Sequence, residues 1–147
     1  MLHFEGTKDL PQPAAEVWTK LRDVRFLIQC IPGVESVAES EPDRATCVLR
    51  PGFAFARGTL ELTLQITDVE PGKMARILLH SKGIGSTSDV EARYTVEPRN
   101  GGTHLTWRVD IKELGGLLKA VPQGLVQAAA QKVISDAWAA VETKLAG

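Results

Sequence analysis

Histidine and cysteine are scarce, with three of the first and two of the second in 147 residues. His3, His80 and His104 stand far apart, and Cys30 and Cys47 lack the paired spacing of a ligating motif. Zinc usually needs three or four convergent nitrogen, sulfur or oxygen ligands, so no metal centre is expected. Two cysteines are also too few for a disulfide framework. They read as reduced, buried thiols of a cytoplasmic protein, with a single Cys30–Cys47 bridge as the alternative. An excess of one charge is missing too. Lys and Arg total 17 against 18 Asp and Glu, a net charge of −1, which supplies no basic field for nucleic acid and no polybasic membrane patch. No apolar run approaches the roughly 20 residues that span a bilayer. The first nine residues alternate polar and apolar, so no signal peptide is expected. Gly83-Ile84-Gly85 leads into a strand pattern and lacks the later glycine of a phosphate loop, so it reads as a turn, and no cofactor is expected.

What is present is ordinary in amount and informative in order. A hydrophobic content of 44% and a charged content of 24% suit a globular chain long enough to bury a core. Without a repeat, linker or low-complexity stretch, residues 1–147 are expected to form one domain. Residues 2–8 read as a strand, and Pro11 and Pro13 break it. Helical spacing follows over 14–21, and Asp23 is placed to cap a second short helix over 24–30. Ile31-Pro32-Gly33 stops that helix.

From Val34 onward the period becomes two. Strands are expected over 34–39, 45–50, 59–69, 74–82 and 87–97, and another after the hairpin signal Asn100-Gly101-Gly102. Leu60, Leu62, Leu64 and Ile66 alternate with polar residues, as do Val90, Ala92, Tyr94 and Val96, and Leu105, Trp107, Val109 and Ile111. From about Leu117 to Leu145 the pattern is helical, with Pro122 marking a kink or the first turn.

This order specifies an α+β fold: a curved antiparallel sheet of seven strands, two short helices and a long C-terminal helix. A sheet of that size coils, and a nearly straight helix cannot follow its concavity. A cavity between them is therefore expected. Leu62, Leu64, Tyr94, Leu105 and Trp107 should line it from the sheet, and Leu125, Ala129 and Val133 from the helix. Alanines 128–130 either leave room there or permit close helix–sheet contact. Trp18, Phe26 and Ile31 are placed to form a lid, with core packing as the other role for Trp18. Phe53 and Phe55 lie near the mouth with Arg57, and Arg57 or Arg76 could fix a carboxylate or carbonyl there, or could be solvated. Tyr94 and Trp107 are either ligand-orienting donors or core groups with partners of their own.

Several short motifs, in order along the chain, resemble those of one family. They are Phe4-Glu5-Gly6; Val17-Trp18-Thr19-Lys20-Leu21 followed by Asp23-Val24 and Ile31-Pro32-Gly33-Val34; Ala56-Arg57-Gly58; Asp68-Val69-Glu70-Pro71; Lys82-Gly83-Ile84-Gly85; Gly102-Thr103-His104-Leu105-Thr106-Trp107; and Leu114-Gly115-Gly116-Leu117-Leu118. Over essentially its whole length the sequence resembles the carbon monoxide dehydrogenase CoxG family of the START-like, or SRPBCC, superfamily. The resemblance implies the helix-grip (Bet v 1-like) fold and a hydrophobic cavity. It also implies a non-catalytic role beside a molybdenum-containing dehydrogenase, in maturation, membrane recruitment or handling of a quinone-like lipid. The sequence ends at Gly147 without the extension that many relatives use for membrane attachment, so at most peripheral membrane contact is expected.

The function expected is thus binding of an apolar molecule (lipid, isoprenoid or quinone-like) by a carrier or accessory protein, as a monomer or homodimer. An assembly factor for a molybdenum hydroxylase is one alternative. A cyclase- or hydrolase-type enzyme is the other, and it requires His80, Asp110 or Glu91 to point into the cavity.

Overall fold

Residues 2–51 and 58–147 are described by the computed structural model, and across them the expected elements follow in order. Strand β1 (Leu2–Leu10) leads into helices α1 (Ala14–Leu21) and α2 (Val24–Cys30). Strands β2 (Val34–Ser40), β3 (Arg44–Leu49), β4 (Leu60–Glu70), β5 (Met74–Gly83), β6 (Ser86–Arg99) and β7 (Gly102–Gly116) come next, and helix α3 (Gln123–Ala146) ends the chain. All pairings are antiparallel, in the order β1-β7-β6-β5-β4-β3-β2.

Local chemistry sets the boundaries. Pro13 holds φ −60° ahead of α1, and its carbonyl accepts from the backbone N–H groups of Glu16 and Val17. The Asp23 carboxylate accepts from the Arg25 backbone N–H at 2.9 Å and caps α2. Asn100 and Gly101 both take positive φ, 52° and 80°, as a tight hairpin between β6 and β7 requires. Pro122 is neither a kink nor an interior residue of α3. It stands before the first helical residue at φ −54°, ψ 137°, and Val121 ahead of it is extended. A 3-10 turn at Leu117–Ala120 fills the segment read as helix, leaving α3 with 24 residues.

Helix α1 closes one end of the sheet. Its Val17, Trp18 and Leu21 are buried, and the Tyr94 hydroxyl on β6 donates to the Leu21 carbonyl oxygen at 2.5 Å. Trp18 packs on Tyr94 with ring centroids 6.3 Å apart. The core at this end continues through Leu10, Ile28, Val96, Leu105 and Val141. The opposite end is where β3, β5 and β7 finish and β2, β4 and β6 begin, as the registers Val34↔Leu49, Leu49↔Leu60, Gly83↔Ser86 and Ser86↔Gly116 require.

Candidate functional site

Between the inner face of the sheet, α2 and α3 lies a cavity of about 570 Å³. Leu60, Leu62 and Leu64 of β4, Ile77 and Leu79 of β5, Val90, Ala92 and Tyr94 of β6, and Trp107, Val109, Ile111 and Leu114 of β7 form its sheet wall. From α3 come Val126, Ala129, Ala130, Val133, Ile134, Ala137, Trp138 and Val141. Ile31, Pro32, Pro51 and Leu118 bound it at the end away from α1.

Two bulges keep this wall apolar. Strict alternation along β4 from Leu62, Leu64 and Ile66 would bring Asp68 inside, and along β7 from Val109 and Ile111 it would bring Glu113 inside. Instead Ile66 pairs with Ile77 but Asp68 with Arg76, so Thr67 is the extra residue. On β7, Ile111 pairs with Val90 but Glu113 with Asp89, so Lys112 is the extra residue. Both carboxylates are thereby turned outward, and Leu114 takes the inward place opposite Ser88.

Charges gather on the outer face. Arg76 pairs with Asp68 and with Glu91, the latter at 2.9 Å, and Lys112 reaches Glu91 at 3.5 Å. Burial opposes ionisation of Glu91, but the hydrogen bond and charge of Arg76 bring its pKa below the usual value. The His3 ring bonds Asp110 and Glu5, raising the His3 pKa and, through the His3 contact, lowering that of Asp110. His80 pairs with Asp89 at 2.7 Å in an exposed position. Arg93 and Arg108 border the cavity at strand positions whose side chains alternate outward, and Arg108 meets Asp110 at 3.5 Å. At the rim, Lys132 and Asp136 of α3 pair with each other at 3.0 Å.

The expected site residues divide accordingly. Ile31, Leu62, Leu64, Tyr94, Trp107, Ala129 and Val133 are brought together around the cavity. Phe53, Phe55 and Arg57 lie outside the described residues. Leu125 does not belong to the lining. It is 51% exposed in the first turn of α3, because Val126, one position on, takes the sheet-facing place against Phe4 and Ile111. Leu105 is wholly buried beyond the cavity floor, in the core at the α1 end. Trp18 is core as well, covered by Tyr94. Phe26 packs partly buried against that core with the Lys20 ammonium 6.0 Å from its ring, so neither aromatic is a lid. Arg76, Glu91, Asp110 and His80 point away from the cavity, for the parity reasons above.

The two polar aromatics have different fates. The Tyr94 O–H is spent on Leu21, and burial raises its pKa. The Trp107 indole Nε1 is buried without a partner. Its ring lies over Gly6, where a Cβ would come within 2.8 Å, and stacks at 6.0 Å on Trp138. Cys30 lines the cavity, and burial pushes its thiol up to about 11. Two lining residues that sequence reasoning missed are Ser81 and Ser88, whose hydroxyls meet at 2.5 Å on the inner face. The inward parity of Ala75, Ile77, Leu79 and Ser81 on β5 was the available signal. Among the described residues no cluster of His, Cys, Asp and Glu could hold a metal ion, and no helix is long and apolar enough to cross a membrane.

A coiled sheet gripping one long helix around an apolar cavity is the START-like, Bet v 1-like architecture, and solved structures agree. A START superfamily protein from Mycobacterium smegmatis matches with TM-score 0.70 and 14% identity over 97% of this chain and 96% of its own. Ara h 8.0201 matches with TM-score 0.65 and 15% identity, covering 98% and 97%. A conserved protein from Geobacillus kaustophilus is more similar, with TM-score 0.86 and 27% identity over 99% and 95%. None of the curated proteins compared with the chain matches it. Residues 6–146 match the carbon monoxide dehydrogenase CoxG family, and the chain belongs to that family.

Proposed function

We propose that this protein binds a neutral, apolar small molecule of lipid, isoprenoid or quinone type in the cavity and acts as a carrier or accessory protein. The observation that carries the reading is the pair of bulges that turn Asp68 and Glu113 out of an otherwise aliphatic and aromatic wall. A volume of about 570 Å³ suits one small ligand. Burying apolar surface at roughly 25 cal/mol per Å² supplies the affinity, and an ionised ligand would meet no counter-charge inside. Tyr94, Trp107, Leu62, Leu64, Ala129, Val133 and Ile31 would contact it. The two unpaired, buried thiols suit a reducing compartment, in keeping with a cytoplasmic carrier.

Native mass spectrometry of freshly purified protein, with organic extraction of what it releases, tests the reading. A co-purifying neutral lipid, or stoichiometric uptake of an added long-chain quinone, is the expected result. Protein that stays empty against neutral apolar compounds refutes it.

Family membership favours a second, compatible role, as accessory to a molybdenum-containing dehydrogenase. Affinity capture from cells making both proteins should then recover the dehydrogenase; its absence at matched expression argues against the partnership.

A further inference from the structure

The inner wall of the cavity is apolar rung after rung, with one exception near its mouth. Leu64, Leu79, Val90 and Ile111 form one cross-strand row, and the next row toward the mouth reads Leu62, Ser81, Ser88, Leu114. Only one further inward rung, at Gly83 and Ser86, separates the serines from the end of the sheet. Ser81 is 8% exposed, and its Oγ lies 2.5 Å from that of Ser88.

Two hydroxyls bring two donors and four lone pairs, and their mutual bond uses one of each. One O–H therefore remains without a partner in this pair, facing a hydrocarbon wall. An unmet donor in such surroundings is unfavourable, and an incoming acceptor oxygen relieves it. The contrast with Thr46 and Thr63 is instructive: their hydroxyls pair at 3.3 Å on the outer face, where water can meet the remainder.

We propose that the Ser81–Ser88 pair is the docking point for an uncharged acceptor oxygen, such as a carbonyl, at one end of the ligand. This rests on the apolar-ligand reading above and adds its orientation: the hydrocarbon part enters first, and the oxygen stops just inside the mouth. No cation faces the serines from β4, β5, β6 or β7 on the inner side, so a carboxylate is the wrong head. A carbonyl in mid-chain is also wrong, since half the chain would then be left in water.

The test compares a long-chain methyl ketone, its mid-chain isomer and the matching alkane, by competition against an apolar fluorescent dye. Wild-type protein and the S81A/S88A double variant are used, the latter removing both partners so that neither is left orphaned. Wild-type protein should prefer the methyl ketone over its isomer by roughly three- to tenfold, the worth of one hydrogen bond. The double variant should lose that preference while binding the alkane unchanged. Equal binding of the isomers by wild type, or a preference that survives in the double variant, overturns the docking point alone and leaves the carrier reading standing. If none of the three compounds binds, the carrier reading falls and this inference with it. The wild-type comparison decides the matter even if the variant fails to fold.

Discussion

Tyr94 shows how one side chain serves both packing and position. Its ring forms part of the cavity floor, and its hydroxyl holds the end of α1 through the Leu21 carbonyl. Tyr94→Phe keeps the ring and leaves a buried acceptor unmet, so unfolding in denaturant should show a loss of about 1–3 kcal/mol with ligand uptake retained. Unchanged stability would show that the bond contributes nothing. The thiols behave differently from each other. Both are raised by burial, Cys30 to about 11, so neither should react quickly with a thiol reagent at mildly alkaline pH until the protein unfolds. Only Cys30 lines the cavity, so a bound ligand should slow labelling of Cys30 further and leave Cys47 unaffected. Equal protection of both would place the ligand elsewhere. At the surface, His3 is raised above 6.5, so its contribution is complete below that pH and fades as pH rises through the raised value. Asp110 is lowered below 3.8, so its share is present above that pH and fades as acid reaches the lowered value. Asp110→Asn should move the NMR titration of His3 back toward 6.5; an unmoved midpoint would contradict the pairing.

At the scale of elements, alternation alone places Leu62, Leu64, Tyr94 and Trp107 on the inner face, and the structure has them there. Alternation could not locate the bulges, because an extra residue such as Thr67 or Lys112 is recognised only by the pairing around it. The phase of α3 was equally hidden. Leu125 and Val126 are both apolar, and the start of the helix after Pro122 decides that Val126 faces the sheet. Alanines 128, 129 and 130 then separate into an exposed residue and two lining ones, so the small side chains leave room in the cavity. Ala129→Phe should fill part of the space and weaken binding of a long apolar ligand by about tenfold with little change in melting temperature. Ala128→Phe, on solvent, should leave binding alone. Equal effects of the two would mean that the ligand does not lie against α3.

For the whole molecule, geometry decides. A helix about 36 Å long at 1.5 Å per residue lies across a coiled seven-stranded sheet, α1 seals one end, and the volume that neither can fill is kept free of charge. Fold and family were legible because they depend on the order of elements and motifs spread along the chain. The cavity's polar detail was not, because Ser81 and Ser88 gain meaning only from being opposite each other on the inward side. The most direct measurement is intermolecular NOE contact between a bound apolar ligand and selectively labelled methyl groups. Contacts to Leu62, Leu64, Ile77 and Val133 on the inside, with none to the exposed Leu78 and Val37, are the predicted result. Contacts to Leu78 and Val37 instead, with the inner methyls silent, would contradict the account.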